Sequence, residues 1–286
     1  KDTWGLTEVG TDGNLSYLAA EGSPEQYVVR LRQAAEKRLD LISFGAESRA
    51  AVDALAAHLG SQGVQLIGEP GDLQTMGGGY GIRFFDIDGR TIEVAADVAT
   101  REHRKIEEGE AIPVRISHAV MNSNNLAATR EFYTDVLGFK LSDSLWSAHM
   151  GDMMHFLRVN DWHHSLAIAT GPHPSVHHVS FEMRGLDEYM RGTGRVMRAG
   201  IKKVWGPGRH LAGNNTFSYF IDPSGNTMEY TTELEKIDED QWHPSVYDIA
   251  EPMTQDQWGT ADPMSEIIAK ESFNDPDRGL FVAPPV

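Results

Sequence analysis

The chain contains no cysteine. Disulfide frameworks, thiolate zinc sites and cysteine nucleophiles are therefore excluded, and any metal has to be held by imidazole and carboxylate. Basic residues are scarce, with 25 Lys and Arg against 42 Asp and Glu, a formal net charge of -17. Nucleic acids and anionic membranes both need clustered cationic side chains, so neither is an expected partner. Long apolar runs are missing too. No stretch approaches the roughly 20 residues that span a bilayer, and Lys1 does not open a charged-then-apolar leader, so the expected compartment is the cytoplasm. With 286 residues, 40% of them hydrophobic, the chain can bury one large core or two ordinary ones, and two is the better expectation.

What is present is an internal repeat. Asp2 to Leu6 (DTWGL) resembles Asp135 to Phe139 (DVLGF), and Leu41 to Phe44 (LISF) resembles His178 to Phe181 (HVSF), at nearly constant offset. Phe85 to Glu93 (FDIDGRTIE) matches Ile221 to Glu229 (IDPSGNTME), aligning Asp86 with Asp222 and Glu93 with Glu229. In the second half, an alternating run from Val114 to Met121 predicts a strand, and Asn125 to Leu137 carries apolar residues at helical spacing. Short strands follow around Leu141, at Met154 to Val159 and at His164 to Ala169. Val176 to Met183 reads as another strand and Leu186 to Ala199 as a helix ended by Gly200. Lys202 to Trp205, Phe217 to Ile221 and Thr227 to Thr232 close the set. The pattern is strand, helix, three strands, repeated: an α+β chain of two domains, 1–109 and 110–286, each built from paired βαβββ units. The counterparts of the strand and helix that precede DVLGF should lie before Lys1, so the native protein is expected to carry on the order of 20 further residues. The Asp-, Pro- and Trp-rich tail after Leu234 is expected to wrap the second half irregularly, with at most one helix, around Pro263 to Glu271.

Three observations converge on a metal site. His118 shares a strand face with Ile116 and Val120, while Ala119 and Met121 point the other way. In Val176 to Met183 the apolar face is Val179, Phe181 and Met183, which puts His178 with Ser180 on the opposite side. Asp222 to Asn226 (DPSGN) is a strong turn sequence, and a hairpin symmetric about Ser224 sets Tyr219 directly opposite Glu229. Two imidazoles and a carboxylate on a rigid sheet form the facial ligand set typical of non-haem Fe(II), with open positions for substrate and oxygen. Mn(II) suits the same ligands, and ligand type alone leaves zinc open. A single strand histidine is more often a hydrogen-bonded core residue than a ligand. Comparison of the halves shifts the balance, because Leu41 stands where His178 does, Gln74 where His210 does and Arg83 where Tyr219 does. The first half keeps the scaffold and Glu93 but not the chemistry.

The run Gly208 to Glu229 (GRHLAGNNTFSYFIDPSGNTME) resembles the signature of the type I extradiol ring-cleavage dioxygenases, with Gly208, His210, Tyr219, Asp222, Pro223, Gly225 and Glu229 at the family's spacing. It departs at Ser218, where the family has an aliphatic residue or Phe, a change expected to weaken strand packing. The resemblance extends over essentially the whole chain and implies the vicinal oxygen chelate fold, with mixed curved sheets around a central cavity, similar to 2,3-dihydroxybiphenyl and catechol 2,3-dioxygenases. It implies that His118, His178 and Glu229 bind Fe(II). It also implies that His164 is the acid/base, with His163 the competing choice, and that His210 and Tyr219 hydrogen-bond the bound diol and oxygen-derived species. Val120 resembles apolar pocket lining. Trp205 and Trp146 are further pocket candidates, with core packing as the default for both. The implied reaction is extradiol cleavage of a substituted catechol by O2 in aromatic-compound degradation, and the expected assembly is a homo-oligomer.

Other signals carry less. His149, His155, His173, His177 and His243 share no ligand spacing and are read as surface, core or outer-shell residues. Gly77 to Gly79 lacks the Lys-Ser/Thr and the helix start of a phosphate cradle. The alternatives are a hydroquinone dioxygenase, a glyoxalase-like isomerase, or a non-catalytic binding protein of the same fold. The His210/Tyr219 pair argues against the two enzymes, and the retention of three ligand candidates together with His164, His210 and Tyr219 argues against the binding protein.

Overall fold

The computed structural model describes residues 1–262 and 272–285. The first unit contributes three strands, β1 (Thr7–Asp12), β2 (Leu15–Ala19) and β3 (Val29–Arg32), as a small antiparallel sheet. The second unit is β4 (Ile42–Gly45), α1 (Arg49–Ser61), β5 (Gly71–Asp72), β6 (Tyr80–Phe85) and β7 (Thr91–Ala96), with sheet order β4-β7-β6-β5. The third is β8 (Pro113–Ser123), α2 (Leu126–Glu131), β9 (Lys140–Ser147), β10 (Gly151–Arg158) and β11 (Leu166–Thr170). The fourth is β12 (Ser175–Met183), α3 (Leu186–Arg198), β13 (Lys203–Arg209), β14 (Thr216–Ile221) and β15 (Thr227–Thr231). Units three and four merge into one sheet of order β13-β14-β15-β12-β8-β11-β10-β9, joined by antiparallel β8 and β12. This is the mixed α+β, vicinal oxygen chelate arrangement. No helix among the described residues is long and apolar enough to cross a membrane.

The repeat is visible atom by atom. Parallel β4/β7 sets Ser43 opposite Glu93, and parallel β12/β15 sets Ser180 opposite Glu229. Across the hairpins Arg83 faces Glu93 and Tyr219 faces Glu229. Both hairpin turns close identically, because the leading aspartate caps its own turn. Asp86 Oδ1 accepts from the amides of Asp88 and Arg90, and Asp222 Oδ1 from those of Ser224 and Asn226. Gly89 and Gly225 supply the left-handed backbone, at φ of 91° and 82°.

The helices cover one face of each sheet and pack between the halves. Leu59 of α1, Phe84 and Ile92 share one core with Met121, Leu126, Phe132, Tyr133, Leu157 and Ile168. Leu6, Leu18 and Ala20 share another with Phe181, Tyr189, Val196, Phe220 and Tyr230. Each such side chain taken out of water contributes about 1.5–3 kcal/mol, enough for these two cores to hold the halves together. At the junction the fully buried Arg90 guanidinium bridges Asp86 at 3.0 Å and Asp88 at 2.8 Å and donates to the Asn122 carbonyl.

Several expectations need correcting. The helix after β8 stays α-helical only to Glu131, and Phe132–Val136 winds as one π-helical turn that buries both Phe132 and Tyr133. The tail is more regular than expected: β16 (Ser245–Asp248) adds to the sheet edge parallel to β9, and a short α4 (Pro252–Gln255) follows. The helix expected at Pro263 to Glu271 lies outside the described residues. Ser218 is buried, and its hydroxyl finds a partner in the Tyr189 hydroxyl at 2.7 Å.

Candidate active site

His118 on β8, His178 on β12 and Glu229 on β15 stand on three adjacent strands, with Ser180 paired to both His118 and Glu229. All three are buried. His118 Nε2 lies 3.0 Å from Glu229 Oε2, His178 Nε2 lies 3.4 Å from the same oxygen, and the two Nε2 atoms are 3.4 Å apart. Metal bonds of about 2.1 Å at right angles would separate neighbouring donor atoms by about 3.0 Å, so the triangle matches one face of an octahedron. Both Glu229 oxygens are buried without a well-aligned hydrogen bond, the state of a carboxylate awaiting a cation. The inner nitrogens are held from behind, His118 Nδ1 by Ser117 Oγ at 3.1 Å and His178 Nδ1 by His177 Nδ1 at 2.7 Å, which leaves both Nε2 atoms turned to the common point.

Electrostatics suit metal binding. Burial lowers the His118 imidazole below its ordinary value, so it is neutral with a lone pair to offer. Burial pushes the Glu229 carboxyl up, but the imidazoles of His118 and His178 outweigh it and hold the group well below the usual carboxylate range. Neutral imidazole and ionised carboxylate are the forms that ligate.

A cavity of about 290 Å³ opens on His118 and His178. His118, His178, His164, His210, Tyr219, Val120 and Trp205 all border it, and most of the remaining wall is apolar. The His164 ring centroid is 4.2 Å from that of His118. Burial, followed by the neighbouring imidazoles, keeps His164 well below the ordinary histidine value, hence neutral. His163 does not border the cavity; it turns back to Asp143 at 2.8 Å. His210 donates from Nδ1 to the Gln255 carbonyl at 2.9 Å, which leaves Nε2 to accept from the Tyr219 hydroxyl at 3.1 Å. Burial brings His210 down to about 4, and burial with the Glu229 charge raises Tyr219 well above the ordinary phenol value. Tyr219 is therefore a neutral donor beside a neutral imidazole.

The sequence reading missed part of the wall. His177 borders the cavity beside His178, and Leu145, Met153, Phe156, Ile249 and Phe273 line it as well. The signal for Phe156 is weak, because register shifts in β9/β10 break the alternation that would assign faces. Ile249 and Gln255 come from the tail, whose fold was not legible. Trp146 is partly exposed and does not border the cavity.

Fold and ligand geometry define a vicinal oxygen chelate protein with a two-histidine, one-glutamate centre. Residues 115–230 match the model of the glyoxalase/bleomycin resistance protein/dioxygenase superfamily. The solved structure of a Mn(II)-bound glyoxalase from Novosphingobium aromaticivorans is 45% identical, covers 98% of this chain and 90% of that one, and superposes with a TM-score of 0.89. Metapyrocatechase 2 of Cupriavidus necator is 27% identical over 278 residues, covering 90% of this chain and 82% of the relative. Homoprotocatechuate 2,3-dioxygenase of Arthrobacter globiformis, 21% identical with a TM-score of 0.84, covering 96% of this chain and 85% of that one, shares the fold. The chain belongs to the glyoxalase/bleomycin resistance protein/dioxygenase superfamily. Its named relatives are enzymes, which supports an enzymatic role here.

Proposed function

We propose that the protein is a non-haem Fe(II)-dependent extradiol dioxygenase that opens the ring of a substituted catechol beside its diol, with both atoms of O2 entering the product. The observation that carries this reading is the meeting of the His118–His178–Glu229 triangle with His164 and the His210–Tyr219 pair around one apolar cavity. When bound, the metal supplies adjacent open positions for a diol and O2 and a charge that favours the diol's ionised form. His118, His178 and Glu229 hold it. His164, neutral and beside the triad, accepts a diol proton and later returns it. Tyr219, kept protonated beside His210, turns its hydroxyl proton from His210 Nε2 to a substrate oxygen when the diol binds in the water-poor pocket. Leu145, Met153, Met154, Phe156, Ile249 and Phe273 favour apolar ring substituents and keep water out. A cytoplasmic homo-oligomer completes the proposal.

The 45% identical Mn(II)-bound glyoxalase favours a second choice of metal and a second reading, a glyoxalase-like isomerase. The test loads the protein with Fe(II) or Mn(II) under air and offers 3-methylcatechol, 2,3-dihydroxybiphenyl and 1,2-dihydroxynaphthalene. The expected result is a yellow ring-fission product with stoichiometric O2 uptake, fastest with Fe(II). Absence of product with every diol and both metals refutes the reading.

A further inference from the structure

Behind the cavity wall lies a buried chain of three polar groups that the metal triad does not use. His163 Nε2 is 2.8 Å from Asp143 Oδ2, and His163 Nδ1 is 2.9 Å from His164 Nδ1. Asp143 and His163 are at most 1% exposed, and the Trp242 ring closes over His163 at 5.6 Å. Asp143 is held in turn, since its Oδ1 accepts the Ser245 amide at 2.7 Å from β16. The carboxylate is thus locked from the tail side, and one oxygen is reserved for His163.

We propose that Asp143 and His163 are positioning residues that set the tautomer of His164. A carboxylate can only accept, so a neutral His163 ring carries its proton on Nε2 and presents its lone pair at Nδ1. The 2.9 Å contact between the two Nδ1 atoms then requires His164 to donate from Nδ1. A neutral His164 with Nδ1–H has its lone pair on Nε2, the nitrogen not turned to His163. His164 is thereby presented to the cavity as a proton acceptor instead of a donor. No bond beyond hydrogen bonds is made or broken, and the device fixes which ring nitrogen is free before any substrate arrives. The proposal rests on the ring-cleavage reading only in giving that lone pair a diol proton to accept.

Asp143→Asn tests the direction of the relay. The Ser245 amide still needs an acceptor, so the new amide keeps its oxygen there and turns its NH2 toward His163. His163 must then accept at Nε2 and donate from Nδ1, which moves the His164 proton to Nε2. The measurement is 15N NMR at pH 8 on histidine-labelled full-length protein, loaded with Zn(II) as a diamagnetic probe. Wild type should show His163 as the Nε2–H and His164 as the Nδ1–H tautomer, and Asp143→Asn should show both inverted. In the Fe(II)-loaded enzyme with 3-methylcatechol, kcat should fall about 10²- to 10⁴-fold, with KM and metal content little changed. If the asparagine variant does not fold, His163→Phe keeps the bulk and removes the relay, and kcat should drop with His164 still present. The proposal is overturned by wild-type His164 protonated on Nε2, by tautomers that do not move in Asp143→Asn, or by full kcat in His163→Phe. Should wild type cleave no diol at all, the functional reading fails while the NMR tautomers still decide this one.

Discussion

Replacing His164 by alanine separates chemistry from metal binding. The donor atoms lying within 4.8 Å of one another belong to His118, His178 and Glu229, and His164 is not among them although its ring sits 4.2 Å from that of His118. The variant should therefore retain a full complement of metal, measured by plasma mass spectrometry after Fe(II) loading and gel filtration. Loss of a positioned general base costs about 10²- to 10⁴-fold in rate, which is about 2.7–5.4 kcal/mol of barrier. The fall should be in kcat with the preferred catechol. The pH profile adds a second signature. Burial keeps the His164 pKa well below the ordinary histidine value, so the base is active above that depressed pKa and is lost as pH falls through it. The acid limb of wild-type kcat/KM should accordingly lie below pH 6.5, and the variant should lose it. Metal loss as complete as in His178→Ala, or a kcat within threefold of wild type, would refute the assignment.

His178→Ala and Glu229→Ala each remove one corner of the donor triangle, so metal content should fall toward zero after the same gel filtration. Metal at about a hundred times its Kd should stabilise wild type by about 2.7 kcal/mol, a gain in Tm these two variants should lack in scanning calorimetry. Arg90→Met strands Asp86 and Asp88 in the interior without their cation. The expected cost is about 3–5 kcal/mol, or a Tm lower by about 6–20 °C, and a loss under about 1 kcal/mol in urea denaturation would contradict the buried-bridge account.

The parts of the site that were legible in the sequence are those fixed by local rules. Pro223 and Gly225 mark the turn, the turn sets the register, and the register alone places Tyr219 against Glu229. His118 and His178 follow from period-two alternation; the β8/β12 register is unbroken from His178 to Ser180 and shifts immediately beyond each histidine, at His177 and at Ser117. His163 and His164 could not be separated in this way, because β11 begins only at Leu166 and strand alternation does not govern the residues before it. What separates them is Asp143, twenty positions back in the chain, which claims His163. A partner choice of that kind is a tertiary fact. The same holds for β16 and α4, four residues each, which are too short to show a period and are held by contacts with β9 and with His210.

The two halves together show what makes the second suited to a metal. Both place a glutamate at the same point of the same hairpin, facing a serine on the parallel neighbour. In the first half Glu93 accepts from Ser43 at 2.8 Å and from the Arg83 guanidinium at 2.8 Å, so its buried charge is neutralised within the protein. In the second half Tyr219 replaces the arginine, and among the described residues Glu229 has no Lys or Arg in ion-pair range. Its charge is held instead by the imidazoles of His118 and His178, whose nitrogens can also serve a divalent cation. Exchange of one guanidinium for a phenol thus turns a structural ion pair into a position that a divalent ion can fill, with the histidines at 118 and 178 as the other ligands we propose.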